Sequence, residues 1–490
     1  MKILINGLIS TCLLLSSALV SNGAKPAEKP NIIVIFTDDQ GFADLGIQGQ
    51  LSDVKTPHID RLARDGVRMT SGYITAPQCI PSRAGLVTGR YQQRFGLDSN
   101  GIRPLPLNEM TIAQRLQDVG YTTGMVGKWH LDPNHQSSEW IQEHLPEKSE
   151  KKNRKRVKIP KQLRKKYDPG AFGFTETFCG NMNRYWATYD LQGNDLAPEG
   201  EWLKASGYRL DIQSDAAVTF IDRNHDKPFF LYLAYYAPHV PLEATDKYLS
   251  RFPGEMPERR RHALAMISAM DDGVGRIRQT LEEYGIDKNT LLFFMSDNGA
   301  PLKMDMEDLP LSNEGGAWDG SRNDPFVGEK GMLSEGGIRV PYIVSWPGTV
   351  PSGHVYEHPV SSLDVGATAI AVAGEPVAPE LDGVNIIPYL TGAKLGEPHE
   401  ALYWRFWNQS AIRKGKWKLL QVGKDKRYLF DLSSPKHETE NLIKKNPEVA
   451  KAMAMELERW ASTLKKPGIP SGELHDEEKG FYSNYFNEIQ

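Results

Sequence analysis

Cysteine is almost missing from this chain, with three in 490 residues. A scaffold stapled by several disulfides is therefore excluded. Charge of one sign is not in excess either: 58 Lys and Arg stand against 62 Asp and Glu, a formal net charge of -4. A global attraction to nucleic acid or another polyanion has no basis in that balance, and no nucleic-acid partner is expected. Internal repeats and long low-complexity segments are absent, and the composition is near the globular average, which excludes fibrous and disordered classes. Long hydrophobic runs are absent after the first twenty residues.

The one such run is at the N-terminus, MKILINGLISTCLLLSSALVSNGA. A single Lys, apolar residues from Ile3 to Val20 and small residues near Gly23 and Ala24 read as an export signal over residues 1–24. A membrane anchor is the alternative, but the run is at the short limit for spanning. The expected protein is exported, periplasmic or secreted, with no stable membrane anchor. Removal of the signal takes Cys12 with it and leaves Cys79 and Cys179, which an exported chain would ordinarily pair. If Cys79 is chemically altered, no disulfide exists. The run Lys148 to Lys166, KSEKKNRKRVKIPKQLRKK, is densely basic; it reads as a solvated loop or as lining for the approach of a polyanion.

Short apolar runs alternate with longer amphipathic stretches, the pattern of an α/β sheet with helices on its faces. Strands are expected at Asn31 to Thr37, Thr122 to Val126, Pro228 to Tyr235, Leu291 to Met295 and Val340 to Ser345. Helices are expected at Ser82 to Val87, Asn108 to Val119, Asp211 to Arg223 and about Arg259 to Tyr284. After Leu390 the texture changes to antiparallel strands, Trp404 to Leu420 and Arg427 to Leu432, and a helix from Pro447 to Leu464. This places a large catalytic α/β domain at 25–395 and a smaller α+β subdomain at 396–490.

Four of the strands run into polar clusters: Asp38-Asp39, Lys128-Trp129-His130, Pro238-His239 and Asp297-Asn298. Ligands in open α/β sheets bind beyond the carboxyl ends of the strands, so one site can gather all four. Each cluster alone is also ordinary turn chemistry. Asp38, Asp39, Asp297 and Asn298 offer hard oxygen donors that suit Ca²⁺, at roughly 2.3–2.6 Å, better than Zn²⁺. Arg83, Lys128, His130, His239 and Lys330 supply cations and imidazoles for an oxyanion and for proton transfer. With Ca²⁺ the cations sum to roughly +5 against -3, a surplus that favours an anionic ester. Cys79 precedes the expected Ser82 helix, and a thiolate at such a place would be nucleophilic. Sulfur is nonetheless a poor partner for calcium.

The stretch Cys79 to Arg90, CIPSRAGLVTGR, resembles the signature of the type I sulfatases, the formylglycine-dependent family of the alkaline-phosphatase-like fold. NIIVIFTDDQG, TPHIDRLARDGVRMT, GYTTGMVGKWHL, YYAPHVPL, SDNGAP, EKGMLSEGGIRVP, AIRKGKWKLL and LFDLSSPKHETENL extend the likeness over nearly the whole chain after the signal. The resemblance implies that fold: a large mixed sheet flanked by helices, plus a smaller C-terminal antiparallel sheet with a packed helix. It implies that a maturation enzyme reading Cys-x-Pro-x-Arg oxidises Cys79 to formylglycine. Its hydrate attacks the sulfur of a sulfate ester, a covalent sulfo-enzyme forms as the alcohol leaves, and the second hydroxyl expels sulfate.

Carried over by position, Asp38, Asp39, Asp297 and Asn298 with residue 79 match the calcium site. Arg83 supports it, and Lys128 and Lys330 match sulfate-binding lysines. His130 matches a base and His239 a general acid at the leaving oxygen. Gln40 and the long insert Leu302 to Gly328 depart from the family pattern. The implied substrate is a sulfated polysaccharide or oligosaccharide such as carrageenan. Glycosaminoglycan sulfatase and phosphonate or phosphodiester hydrolase are the alternatives, and a glycan-binding protein with an unconverted cysteine is the non-catalytic one. Arg184, Trp186, Trp318, Arg322 and Arg405 are candidates for sugar subsites, because aromatic faces and guanidinium groups suit sulfated sugars.

Overall fold

The computed structural model describes residues 29–149, 157–303, 306–311, 317–434 and 437–486. The expected signal segment lies outside the described residues, as does the middle of the basic run. Among the described residues no helix is long and apolar enough to cross a membrane.

Ten strands form one mixed sheet: β1 (Asn31–Asp38), β2 (Val67–Met69), β4 (Thr122–Gly127), β5 (Glu176–Asn181), β6 (Arg184–Ala187), β7 (Glu201–Lys204), β8 (Phe229–Pro238), β9 (Thr290–Ser296), β10 (Tyr342–Ser345) and β11 (His354–Tyr356). Their order is β11-β2-β10-β9-β1-β8-β4-β5-β6-β7. The four central strands β9, β1, β8 and β4 are mutually parallel, while β10, β6 and β7 run against their inner neighbours. Because β1 is covered on both faces, its sequence is a continuous apolar run and not an alternating one. Ile32, Val34 and Phe36 pack on one face with the Cys79–Thr88, Ile112–Asp118 and Asp364–Val372 helices. Ile33 and Ile35 pack on the other with the Arg209–Asn224 and Glu258–Glu283 helices. Two very short strands, β3 (Gly72–Tyr73) and β12 (Val360–Ser361), pair separately.

A second sheet of β13 (Leu402–Phe406), β14 (Gln409–Lys414), β15 (Trp417–Val422) and β16 (Lys426–Asp431) is an antiparallel meander. One face packs on Leu457 and Trp460 of the Pro447–Ser462 helix. The other covers Tyr73, Met332 and Leu333 of the large unit together with Phe481 and Tyr482 of a last helix, Asp476–Phe486, absent from the sequence-based expectation.

Candidate active site

The parallel register of β9, β1, β8 and β4 brings their carboxyl ends side by side. Asp38 ends β1, and Asp297 and Asn298 follow β9. His239 follows β8, held by its N–H to the Asp38 carbonyl at 3.1 Å. Lys128 follows β4 across Gly127, whose φ of +98° lets the chain pass where a Cβ would lie 2.0 Å from the Ala234 carbonyl oxygen. Asp39 and His130 hold left-handed backbone conformations, φ 64° and 57°, which for residues with side chains marks strain held by the surroundings.

Cys79 opens the Cys79–Thr88 helix instead of preceding it. Gln78 is extended, at φ -147°, and the turn begins at the next residue. Pro81 fits there because the first turn needs no N–H from it. The Ile80 N–H, one of the unsatisfied donors of that turn, donates to Asn100 Oδ1 at 2.9 Å. Both Cys79 and Cys179 are free, so the disulfide alternative does not hold.

Cys79 Sγ lies 3.6 Å from Asp38 Oδ1 and 3.4 Å from Lys330 Nζ. Arg83, fully buried, donates through Nη2 to Asp297 Oδ2 at 2.7 Å and approaches Asp38 Oδ1 at 3.3 Å. Lys128 Nζ pairs with Asp38 Oδ2 at 2.6 Å. Lys330 Nζ reaches both oxygens of Asp39, at 2.6 and 2.8 Å. Asn298 Nδ2 donates to Asp39 Oδ1 at 2.7 Å. His239 Nδ1 lies 2.6 Å from the Val240 carbonyl, so that nitrogen carries the proton, and Nε2 stands 3.7 Å from Asp39 Oδ2. All the predicted catalytic and metal-ligating residues except His130 are thus linked by direct contacts. His130 makes no such contact, yet Lys128 and Arg83 both bear on its ionisation.

Burial raises the carboxyl groups here, and the cations decide which of them yield. Asp38 is held well below the usual carboxylate range because Lys128, His239 and Arg83 outweigh its burial, and Lys330 does the same for Asp39. Asp297 is pushed up to about 7 by burial and by Asp38, which Arg83 only partly offsets. Burial pushes the Cys79 thiol up to about 12. Burial and the adjacent lysine and arginine drive His130 well below an ordinary histidine; His239 is lowered by burial despite Asp38.

Asp38, Asp39, Cys79 and Asp297 present ligand atoms within 4.8 Å of one another. Asn298 Oδ1 is buried beside them with no hydrogen-bond partner. Three crowded carboxylates, one of them reluctant to ionise, and an orphaned amide oxygen fit a hard divalent cation.

The subsite candidates separate. Arg184 is exposed, with its guanidinium 4.2 Å above the Trp202 ring, and Trp186 meets Trp202 edge to face at 5.5 Å. Arg322 is occupied by a bidentate pair with Asp324. Trp318 is buried, its Nε1–H donating to the Ser321 carbonyl at 2.7 Å. Arg405 is also buried, bound to Asp98 and to the carbonyls of Lys465, Lys466 and Gly468. Its donors are spent joining protein segments. Asp319 was not singled out by the sequence, although burial and the proximity of Asp39 raise it far above an ordinary carboxyl.

The sulfatase family model matches residues 30–375. The chain belongs to the sulfatase family. It is a sulfuric ester hydrolase, and a second model, N-sulphoglucosamine sulphohydrolase C-terminal, matches residues 327–463 of it. This sulfatase is 30% identical to arylsulfatase D of Homo sapiens over 462 residues, covering 81% of this chain and 74% of the relative. It is 31% identical to N-acetylgalactosamine-6-sulfatase of Mus musculus, covering 83% and 74%. A crystal structure of Ps i-CgsB in complex with k-i-k-neocarrahexaose superposes with a TM-score of 0.72 at 30% identity, over 94% of this sulfatase and 98% of that chain.

Proposed function

We propose that this sulfatase removes sulfate from a carrageenan-type galactan or its oligosaccharides, with a nucleophile made from Cys79 and with Ca²⁺ held by Asp38, Asp39, Asp297 and Asn298. The observation that carries the mechanism is the buried Cys79 at the meeting point of three aspartates, Arg83, Lys128 and Lys330. As a thiol it is a poor nucleophile, since burial keeps it protonated up to about 12. Conversion to formylglycine by a maturation enzyme would supply a hydrated aldehyde as an oxygen nucleophile, and the cation would withdraw charge from the sulfate oxygens.

The chain's own groups then divide the work. Lys128 and Lys330 bind the sulfate oxygens and neutralise charge as the ester bond breaks. Arg83 holds Asp38 and Asp297 in place and favours the charged form of each. His239, with its Nδ1–H committed to Val240, offers Nε2 to the leaving oxygen and delivers a proton there when the imidazole is charged. His130, kept neutral by burial and then by Lys128 and Arg83, accepts a proton during sulfate release.

The galactan reading is supported by the likeness to Ps i-CgsB over nearly the full chain. The exposed Arg184 and Trp202 pair is the sugar-facing candidate. Desulfation of a glycosaminoglycan is the second reading, favoured by the likeness to N-acetylgalactosamine-6-sulfatase. Residues 1–24 would direct export to the periplasm or medium, where such glycans are met.

The test measures sulfate release from defined carrageenan oligosaccharides and N-acetylgalactosamine-6-sulfate, and alcohol release from a phosphodiester, using wild type and Cys79→Ala. Wild type should release sulfate from the first, and its residue-79 peptide should be lighter by one sulfur and two hydrogens and heavier by one oxygen. Cys79→Ala should be folded and inactive. Turnover by that variant near the wild-type rate would remove Cys79 from the mechanism, and preference for the phosphodiester would overturn the substrate class.

A further inference from the structure

The loop that carries Lys330 is held by the carboxyl-terminal part of the chain. Gln409, the first residue of β14, is fully buried. Its Nε2 donates to the Gly331 carbonyl at 2.9 Å, and its Oε1 accepts the Leu333 N–H at 2.9 Å. One side chain thus pins the backbone at two points immediately after Lys330. Gln409 is in turn fixed by the last helix: the Tyr482 hydroxyl donates to its Oε1 at 2.6 Å, and Glu478 Oε1 lies 3.4 Å from its Nε2.

The same helix grips the loop directly. Tyr485 donates to Glu329 Oε1 at 3.1 Å, just before Lys330. Gly331, at φ +96°, lies so close to Phe481 that a Cβ would stand 3.0 Å from its ring. On the opposite side, the Lys330 N–H donates to the Ala300 carbonyl at 3.1 Å and the Gly331 N–H to the Pro77 carbonyl at 2.9 Å. Those partners belong to the segments that carry Asn298 and Cys79. The Lys330 backbone is therefore clamped between the nucleophile loop and the last helix.

We propose that Gln409, locked by Tyr482, is a positioning residue for Lys330, so that the small sheet and the last helix are part of the catalytic apparatus. A long, flexible lysine side chain gains precision only from a fixed backbone, and a displacement of about 1 Å in such a site costs on the order of 10²-fold in rate. The inference rests on the proposed role of Lys330 in binding sulfate.

A double-mutant cycle on the full chain separates the two claims. Rates on carrageenan oligosaccharides and inhibition by inorganic sulfate are measured for wild type, Lys330→Ala, Gln409→Leu and the double variant, with unfolding temperatures alongside. Gln409→Leu should lower kcat/KM by about 10²-fold and weaken sulfate inhibition. In the Lys330→Ala background it should add almost nothing, an outcome that a general loss of stability would not give. Losses that multiply, or a folded Gln409→Leu with full activity beside an impaired Lys330→Ala, overturn the positioning role alone. Full activity in Lys330→Ala overturns the role of Lys330 and this inference with it. If Gln409→Leu does not fold, Tyr482→Phe takes its place in the cycle, and the same outcomes decide.

Discussion

Asp297 is under two opposed influences. Burial and Asp38 push its carboxyl up to about 7, while Arg83, 2.7 Å away, favours the charged form. A divalent cation among the three aspartates would remove their repulsion, so cation binding and ionisation of Asp297 reinforce each other. Calcium at about 100 times its Kd should stabilise the fold by roughly 2.7 kcal/mol, read as a rise in unfolding temperature that a chelator reverses. Asp297→Asn should lose most of that rise, and an undiminished rise would strike Asp297 from the ligand set. The aspartates and Lys128 of the candidate site were legible in the sequence because each stands at or just after the end of an apolar strand in a parallel sheet, whereas Lys330 lies in a long loop and follows no strand. Trp318 and Arg405 show what was not legible: a residue type does not reveal whether its donors are already consumed by the protein.

Among the elements, the Asp364–Val372 helix is tied to neighbouring segments through its first residue. Asp364 accepts the Ser361 N–H at 2.8 Å and the Val384 N–H at 2.9 Å, and His399 Nε2 lies 2.8 Å from its Oδ1. Burial opposes a charge on His399, but Asp364 outweighs it and raises the imidazole above its ordinary value. The folded state therefore holds this proton more tightly than the unfolded chain. The stabilisation is complete below the unfolded value of about 6.5 and disappears as pH rises through the raised folded value. The difference in unfolding temperature between wild type and His399→Gln should be largest in mildly acidic buffer and shrink in alkaline buffer. A difference that grows with pH would refute the assignment. Long buried elements such as β1 and β8 were readable from apolar runs, to within a few residues at their ends. The three-residue β2 and β11, and the two-residue β3 and β12, carry no such period, being fixed by the chains they pair with.

The whole molecule is joined through a buried charge network that no local pattern announces. Lys418 of β15 lies 2.9 Å from Glu335 and 2.8 Å from Glu438, with all three side chains fully buried. Glu335 also accepts from the Tyr73 hydroxyl at 2.6 Å and pairs with Arg339 at 3.1 Å. Removing the one lysine takes the shared cation from two buried carboxylates, of which Glu335 keeps Arg339 and Tyr73 and Glu438 keeps the Glu335 N–H, so Lys418→Met should destabilise by about 3–5 kcal/mol in denaturant unfolding. A loss under about 1 kcal/mol would mean that water enters and replaces the lysine. The fold class could be read from the order of strands and helices, but this junction joins residues far apart in sequence and could not. The burial of the Cys79–Thr88 helix has a temporal consequence. All ten of its residues are covered in the finished fold. Under the proposed conversion of Cys79, a catalyst that needs this stretch as an open peptide would have to reach it before the later strands arrive to seal it in. On that reading a molecule that folds first would stay unconverted for as long as it stays folded.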